Sequence, residues 1–298
     1  MSRLLTYPPT LRVRMTAPII VCMKWVALRP EVDPLTGVVV SDERWEGPSL
    51  ADQAALEVGL MLADAWSTTC EVVCVGASAA DAMLRDALAA GARRVTRIDT
   101  GSTADVDHQP TSACVASLLG AAIATISSSP ALVVCGDWSL DRGSASVPVF
   151  LSADLGIDAA CGIVAVGDQG PGALRLERRL DGGRREVLAV SGSAVISVEG
   201  SVARLRRAPL SGVLAARNAS IDVITPASIQ WESAALRVGP FKPRARILEA
   251  PASADPRKRV EQLTGALIDR TPPRRLTLGA EEAASVILDQ LRIWGQIP

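Results

Sequence analysis

Short apolar runs alternate with longer helical segments along this sequence, and that alternation restricts its fold more than any other feature. Four runs rich in Val, Ile and Cys have the length of buried strands, at residues 19–24, 72–75, 95–98 and 132–135. Between them, apolar residues recur at helical spacing in residues 49–66, 78–91 and 112–126. Strands that alternate with helices in this way predict an α/β chain with a doubly wound, mainly parallel sheet.

Polar residues and glycines mark the ends of these helices. Ser49 can cap the first helix, with Asp52 three residues further on, and the helical pattern ends near Trp66. Ser78 can cap the next helix, and Gly91 follows its last apolar residue as a C-terminal cap. Residues 72–98 are therefore predicted to form a βαβ unit, whose crossover is expected to be right-handed.

The fourth strand stops abruptly at Gly136 and is followed by a loop of small and polar residues. Residues 139–146 would expose backbone amides, and a helix predicted from Val147 would direct its positive end at them. Ligands of such sheets bind at the carboxyl ends of the strands, where Lys24 and Gly76 also lie. We therefore predict an anion or nucleotide site at this edge, with an ordinary strand-to-helix turn as the alternative.

After residue 162 the pattern changes to short strand pieces, which we interpret as an antiparallel extension. These pieces lie at residues 163–166, 174–179, 186–190 and 194–198. The D-G-G sequence at 181–183 is typical of a hairpin turn, because glycine supplies the positive φ angles that such a turn needs. The P-L-T-G sequence at 34–37 predicts a second turn between extended segments.

These patterns divide the chain into three regions. Residues 1–14 carry three arginines and two prolines, and we expect them to form a disordered extension. Residues 15–225 are predicted to form the α/β domain together with its antiparallel extension. Residues 226–298 are predicted to form an extended C-terminal arm, rich in proline and arginine up to residue 276, and a last helix at 281–293.

Composition argues against several classes of function. With 31 basic and 32 acidic residues, the chain has no general attraction for nucleic acid or for membrane surfaces. Its six cysteines form no C-x-x-C pair and its one histidine, His108, stands in a polar segment, which predicts buried thiols and no metal site. No apolar run has the length of a membrane span or of a signal-peptide core, so we expect a cytoplasmic protein.

Four segments, in the same order and at compatible spacing, resemble the beta subunit of electron transfer flavoproteins. V-C-M-K-W-V at 21–26 is similar to the family's V-A-V-K-x-V, and A-L-E-V-G-L-M-L at 55–62 is similar to A-L-E-E-A-L-R-L. L-R-D-A-L-A-A-G-A-R-R-V at 84–95 resembles the signature L-R-x-A-L-A-M-G-A-D-R-A, and G-D-W-S-L-D-R-G-S-A-S-V-P at 136–148 resembles the family's nucleotide loop.

This resemblance implies an adenine nucleotide alpha hydrolase-like (Rossmann-like) fold and a subunit that binds AMP structurally, without catalysis of its own. It also implies an alpha subunit that carries most of the FAD contacts, and dehydrogenases that donate electrons to this flavin. Matching positions place the AMP site on Cys22, Lys24, Ser49, Leu50, Ala51, Asp52, Gly76, Gly136, Ser139, Asp141, Gly143, Ser144, Ala145, Ser146 and Val147.

Departures from the family pattern concern the start of the first helix and the docking loop. S-L-A-D at 49–52 replaces N-P-F-D/E, so the helix cap is retained while an Asn contact to the nucleotide is lost. Residues 202–207 replace L-N-E-P-R-Y and keep one arginine in register, and the following lysine run is thinned. The family's loop docks dehydrogenases through a leucine, which matches Leu210 within residues 203–217, with a core leucine as the alternative. The altered neighbours resemble a divergent actinobacterial type associated with the mycofactocin redox system.

Two functions of other classes suit the same nucleotide-binding layout. A hydrolase or adenylyl transferase would need a pyrophosphate-binding motif such as S-G-G-x-D after the first strand, and residues 23–26 do not provide it. A stand-alone nucleotide sensor would be stable without a partner, whereas the arm at 237–275 suggests a partner surface. The sequence leaves open which dehydrogenase donates electrons and whether AMP or a second FAD fills the site.

Overall fold

The structure is a computed structural model that describes residues 17–101, 110–226, 250–264 and 275–297. The predicted extension at residues 1–14, His108 and most of the predicted C-terminal arm lie outside the described residues. The chain divides into two compact units, Met1–Phe241 and Lys242–Pro298.

The described part of the first unit contains thirteen strands and five α-helices. In chain order they are β1 (Ile19–Met23), β2 (Trp25–Ala27), β3 (Glu31–Val32), β4 (Val39–Val40), β5 (Glu46–Pro48), α1 (Leu50–Trp66), β6 (Cys70–Gly76), α2 (Asp81–Ala90), β7 (Arg94–Asp99), α3 (Ser112–Ile126), β8 (Leu132–Gly136), α4 (Val147–Leu155), β9 (Asp158–Asp168), β10 (Ala173–Arg179), β11 (Arg185–Ser191), β12 (Ala194–Val198), α5 (Leu210–Arg217) and β13 (Asp222–Ile224). The described part of the second unit contains α6 (Pro256–Thr264) and α7 (Ala280–Ile293).

Nine strands form one sheet in the order β11-β10-β9-β12-β8-β1-β6-β7-β13. From β9 to β13 every neighbouring pair is parallel, whereas β10 runs antiparallel to both β9 and β11. Helices cover both faces of the sheet. Alternate residues of β1 therefore pack into two different hydrophobic cores. Ile19, Val21 and Met23 pack with α1 and α2, and Ile20 and Cys22 pack with α3 and α4. The doubly wound α/β prediction is confirmed.

Strand β12 corrects the prediction that all strands after residue 162 are antiparallel. It lies between β9 and β8 and is parallel to both. All five of its residues are buried, as expected for a central strand of a parallel sheet covered on both faces. Strand β9 begins at Asp158, five residues earlier than predicted, and its first half pairs with β12 while its second half pairs with β10.

The helix signals at Ser49 and Gly91 have the expected geometry, and the signal at Ser78 does not. Ser49 forms a complete capping box with Asp52 at the start of α1, and Gly91 ends α2 with a φ of 125°. Ser78 does not cap α2, because it begins a short 3-10 turn and α2 starts only at Asp81, without a side-chain cap. Helix α6 lies in the region predicted as an extended arm, so Pro256–Thr264 is helical rather than extended.

The described residues can be compared with the expectations for cysteines, metal ligands and membrane spans. Cys22, Cys70, Cys74 and Cys135 are buried, as predicted, whereas Cys114 and Cys161 are partly exposed. Among the described residues, no group of three or more His, Cys, Asp and Glu side chains has an arrangement that could hold a metal ion. None of the described helices is both long enough and apolar enough to span a membrane.

Candidate functional site

The sheet has a topological switch point between β1 and β8. From β1 the chain continues to β6 and β7 on one side, and it later returns to place β8 on the other side. Loops and helix starts that follow the two strands therefore diverge at their carboxyl ends, which is where open α/β sheets bind ligands. Lys24 follows β1 at this point, and Asp137 follows β8. The amide of Asp137 donates to Val198 O at 3.0 Å and joins the start of the β8 loop to β12.

The N-terminus of α1 lies directly against the carboxyl end of β8. A Cβ on Gly136 would lie 3.0 Å from the backbone N of Asp52 and 3.1 Å from the carbonyl carbon of Ala51. Glycine is thus the residue that lets the strand end approach the first turn of the helix without displacing it. Within that turn, Ser49 Oγ accepts from the Asp52 amide at 3.1 Å and donates to Asp52 Oδ2 at 2.8 Å.

Asp52 is a buried carboxyl group at the switch point, with 6% of its surface exposed. Burial raises the pKa of Asp52 from 3.8 to about 7, against the opposing effects of the Ser49 hydrogen bonds and of the charge and amide of Lys24. Near neutral pH, protonated and ionised forms of Asp52 therefore coexist. Protonation of Asp52 removes one negative charge from the site.

The loop after β8 is fastened to the end of β1 by an ion pair between Lys24 and Asp141. Burial by itself would raise the pKa of Asp141, but its bonds to Lys24, Ser139 and the Arg142 amide hold the pKa below its ordinary value. The carboxylate form is thus kept at neutral pH. Because the Lys24 ammonium is engaged by Asp141, its charge is already largely balanced within the protein.

The middle of this loop adopts left-handed backbone conformations. Gly143 has a φ of 58°, and a Cβ there would lie 2.6 Å from Trp138 Nε1, so the Trp138 ring lies close to the Gly143 backbone. Ala145 has a φ of 52°, which is an unfavourable conformation for a residue with a side chain. Ser144 Oγ lies 2.9 Å from Ser146 Oγ and 3.3 Å from Ser112 Oγ, so its hydroxyl also contacts the first residue of α3.

Helix α4 begins immediately after this loop, and its first turn lacks a side-chain cap. Ser146 occupies the N-cap position but makes no capping hydrogen bond, and Pro148 in the first turn has no N–H. The amides of Val147 and Val149 therefore keep their donors directed out of the helix, toward the loop. An anion is the natural partner of such a helix start.

The other predicted site residues lie at different depths along this edge. Leu50 is exposed and Ala51 is buried in the first turn of α1. Cys22 lies inside β1 on the face covered by α3 and α4, in register with Cys135. The thiol of Cys22 and burial together raise the pKa of Cys135 well above its ordinary value. Gly76 ends β6, one strand away from β1 on the side opposite β8.

Arg97 on β7 is a buried charged residue of this edge that was not predicted from sequence. Its guanidinium contacts Asp81 at 2.7 Å and Asp99 at 3.1 Å, and it donates to the carbonyl oxygen of Gly76 at 3.3 Å. The signal was an arginine between Thr96 and Ile98 in a predicted buried strand, which is rare without buried partners. A shallow cleft of about 300 Å³ lies next to it, lined by Ala77, Ser78, Ala79, Asp99 and Gly101.

A larger cleft of about 380 Å³ lies at the opposite edge of the sheet. It is lined by residues from the ends of α1 and α2 and from the segments that lead into β6 and β7, including Thr68, Thr69 and Gly91. This position is the amino-terminal edge of the strands, where open α/β sheets do not place their ligands. We therefore assign the candidate site to the carboxyl edge in spite of the smaller cleft there.

Leu210 is the first residue of α5, although its segment was predicted as a loop. Its side chain is 74% exposed, and Val213 and Leu214 on the same helix are also exposed. Leu210 is therefore not a core residue, and the alternative of a leucine buried beneath a loop is wrong. Three exposed aliphatic side chains on one short helix form an apolar patch, which we call the α5 face.

The geometry defines an α/β protein with a candidate ligand site at the switch point of its sheet. Residues 36–229 match the model of the electron transfer flavoprotein domain. This match covers more than half of the chain, and it includes α1, the β8 loop, α4 and α5. The chain belongs to the electron transfer flavoprotein domain family, whose members act as electron carriers. A search of curated proteins found no match.

Proposed function

We propose that this chain is the beta subunit of a heterodimeric electron transfer flavoprotein. In this proposal the chain binds AMP structurally and helps to hold FAD in an alpha subunit, so that electrons pass from dehydrogenases to an acceptor in the cytoplasm. The observation that carries the proposal is the switch-point edge, which contains the Lys24–Asp141 ion pair, the open start of α4 and the capped start of α1. Membership of the electron transfer flavoprotein domain family supports it.

We propose an orientation for adenosine monophosphate at this edge. The phosphate fits the amides of residues 144–147, because the α4 start offers unpaired donors and its positive end. Asp52, Asp137 and Asp141 would repel a phosphate placed deeper in the edge, and Lys24 is already engaged by Asp141. We therefore place the phosphate at α4 and the nucleoside toward Lys24 and the start of α1.

FAD is the redox-active group of the proposed complex, and it would supply the transfer of electrons. This chain's own residues have a supporting role, because AMP at the β8 loop would keep Ala145 in its unfavourable backbone conformation and so keep the loop surface ordered. We assign most FAD contacts to the alpha subunit from the resemblance to the beta subunits of this family. The mycofactocin-associated type remains part of this proposal.

The first experiment identifies the nucleotides. The chain is coexpressed with its alpha subunit, the heterodimer is purified, and nucleotides released by denaturation are quantified by mass spectrometry. We expect AMP and FAD in equal amounts. Two FAD molecules per heterodimer, with no AMP, would assign a second flavin to this site. The absence of both AMP and FAD would contradict the proposal. Turnover of an added adenine nucleotide would favour the hydrolase or transferase alternative, and AMP on a stable lone chain would favour the sensor.

The second experiment tests dehydrogenase docking on the α5 face. Leu210→Ala removes an exposed side chain, and truncation of an interface anchor typically costs on the order of 2 kcal/mol, or roughly thirtyfold in affinity. We expect slower electron transfer from the dehydrogenase, with the flavin spectrum, AMP content and reduction by dithionite unchanged. Val187→Ala is the control, because it truncates another exposed aliphatic residue on β11 at the far edge of the sheet. Equal rates for wild type and Leu210→Ala would place docking elsewhere.

A further inference from the structure

The segment that leads into α5 is fixed to α1 by Arg206. The guanidinium Nε of Arg206 donates to Glu57 Oε1 at 3.2 Å and Oε2 at 3.1 Å, and Nη1 donates to Asp64 Oδ2 at 3.1 Å. The backbone amide of Arg206 also donates to Glu57 Oε2, at 2.9 Å. One carboxylate thus holds both the side chain and the main chain of a residue four positions before Leu210.

Glu57 is a buried acid on α1, with 8% of its surface exposed. A carboxylate at such a position is expensive to desolvate, and an apolar side chain of similar volume would stabilise the fold as well or better. The Glu57 carboxylate is therefore better explained by a role in positioning the neighbouring chain than by a gain in stability. Its bonds to Arg206 fix the direction in which the chain enters α5.

Helix α5 is also held from α2, along its length and at its C-terminus. A Cβ on Gly212 would lie 2.4 Å from the carbonyl oxygen of Ala89, so the two helix backbones are in close contact. Arg85 Nη1 donates to the carbonyl oxygens of Ala216 at 3.2 Å and Ala219 at 3.0 Å. These bonds tie α2 to the C-terminal end of α5 and to the segment that follows it.

We propose that Glu57 is a positioning residue that, through Arg206, holds the α5 face in the orientation in which it docks a dehydrogenase. This inference rests on the proposed function of Leu210. A surface that is already ordered binds more tightly, because less conformational entropy is lost on association. If the bonds between Arg206 and Glu57 are lost, only a fraction of the molecules has Leu210 in the docking orientation. The apparent dissociation constant for the dehydrogenase then rises by the inverse of that fraction.

Glu57→Gln tests the inference in the heterodimer with the alpha subunit. The probe is a flavin-containing dehydrogenase that reduces the unmodified heterodimer. We expect KM for this dehydrogenase to rise about tenfold, as it would if one molecule in ten kept α5 oriented, with kcat and reduction by dithionite unchanged. Amide hydrogen exchange over residues 206–217 should accelerate as well, because a larger fraction of molecules then has these amides in an open state. Arg178→Gln breaks an ion pair with Glu186 between β10 and β11, and as the control it should change neither quantity.

Arg85→Gln is a second variant, which removes the bonds at the C-terminal end of α5. It tests the inference if Glu57→Gln does not fold. An increase in KM and in exchange with either variant supports the inference. Unchanged KM and exchange in these variants, together with an increased KM for Leu210→Ala, would overturn the positioning role while docking on the α5 face stands. An unchanged KM for Leu210→Ala would overturn both, because Glu57 would then have no docking residue to orient.

Discussion

The buried carboxyl of Asp52 should make the stability of this protein depend on pH in a predictable direction. In the folded chain its pKa is about 7, against 3.8 when it is exposed to water. The folded state therefore binds the Asp52 proton more tightly than the unfolded state does. The contribution of Asp52 to the free energy of unfolding is greatest below pH 3.8, and it falls as the pH rises through 3.8 toward 7.

The magnitude follows from the two pKa values. The separation between 3.8 and about 7 corresponds to about 4 kcal/mol of lost stability when the whole interval is crossed. Between about pH 5 and about pH 8, roughly 2–3 kcal/mol of this loss should be observed. Asp52→Asn removes the titration but keeps a side-chain oxygen that can accept from the Ser49 amide. The variant should therefore gain stability relative to wild type as the pH rises.

The assay is urea unfolding of the nucleotide-free chain, followed by circular dichroism at about pH 5 and about pH 8. The difference in unfolding free energy between wild type and Asp52→Asn should change by roughly 2–3 kcal/mol between the two conditions, which is up to about 1 M in urea midpoint. Asp154→Asn is the control, because Asp154 is exposed on α4 and accepts a hydrogen bond from Ser117. Parallel pH dependences for wild type and Asp52→Asn would refute the reasoning.

Two further predictions concern the nucleotide loop and the lone subunit. Ala145→Leu should lower AMP occupancy and, through the lost ligand, the stability of the heterodimer, because bulk at a left-handed position blocks close approach of phosphate to the backbone. Ala145→Gly should retain AMP, and unchanged AMP in the purified leucine variant would show that the site is misplaced. The chain expressed without its alpha subunit should bind little flavin, and stoichiometric FAD in the absorption spectrum of the lone chain would contradict the assignment of FAD to the partner.

Local signals predicted the elements of this fold well, because they depend on neighbouring residues. The capping box at Ser49 and the glycine that ends α2 can be recognised from three or four residues, and the structure has both. Strand direction is not local. The apolar run of β12 is compatible with either direction, and its parallel pairing is decided by β8 and β9, which lie elsewhere in the sequence.

The candidate site was predictable in its location but not in its internal contacts. The carboxyl edge follows from the alternation of strands and helices, so Lys24, Asp52 and Gly136 could be expected near one another. The partners of individual charges could not, because Lys24 and Asp141 are 117 residues apart and Arg206 and Glu57 are 149 residues apart. Such pairs form only after the sheet has brought their elements together.

The two ends of the nine-stranded sheet are protected in different ways against extension by another chain. Strand β11 alternates exposed and half-buried residues, and its Arg185 and Glu186 form charge pairs with Glu177 and Arg178 of β10. At the other end, β13 has only three residues, which is too short to template a further strand of useful length. Charged side chains and a short final strand both discourage edge-to-edge aggregation. A partner of this chain is therefore expected to meet helices and loops rather than to continue the sheet.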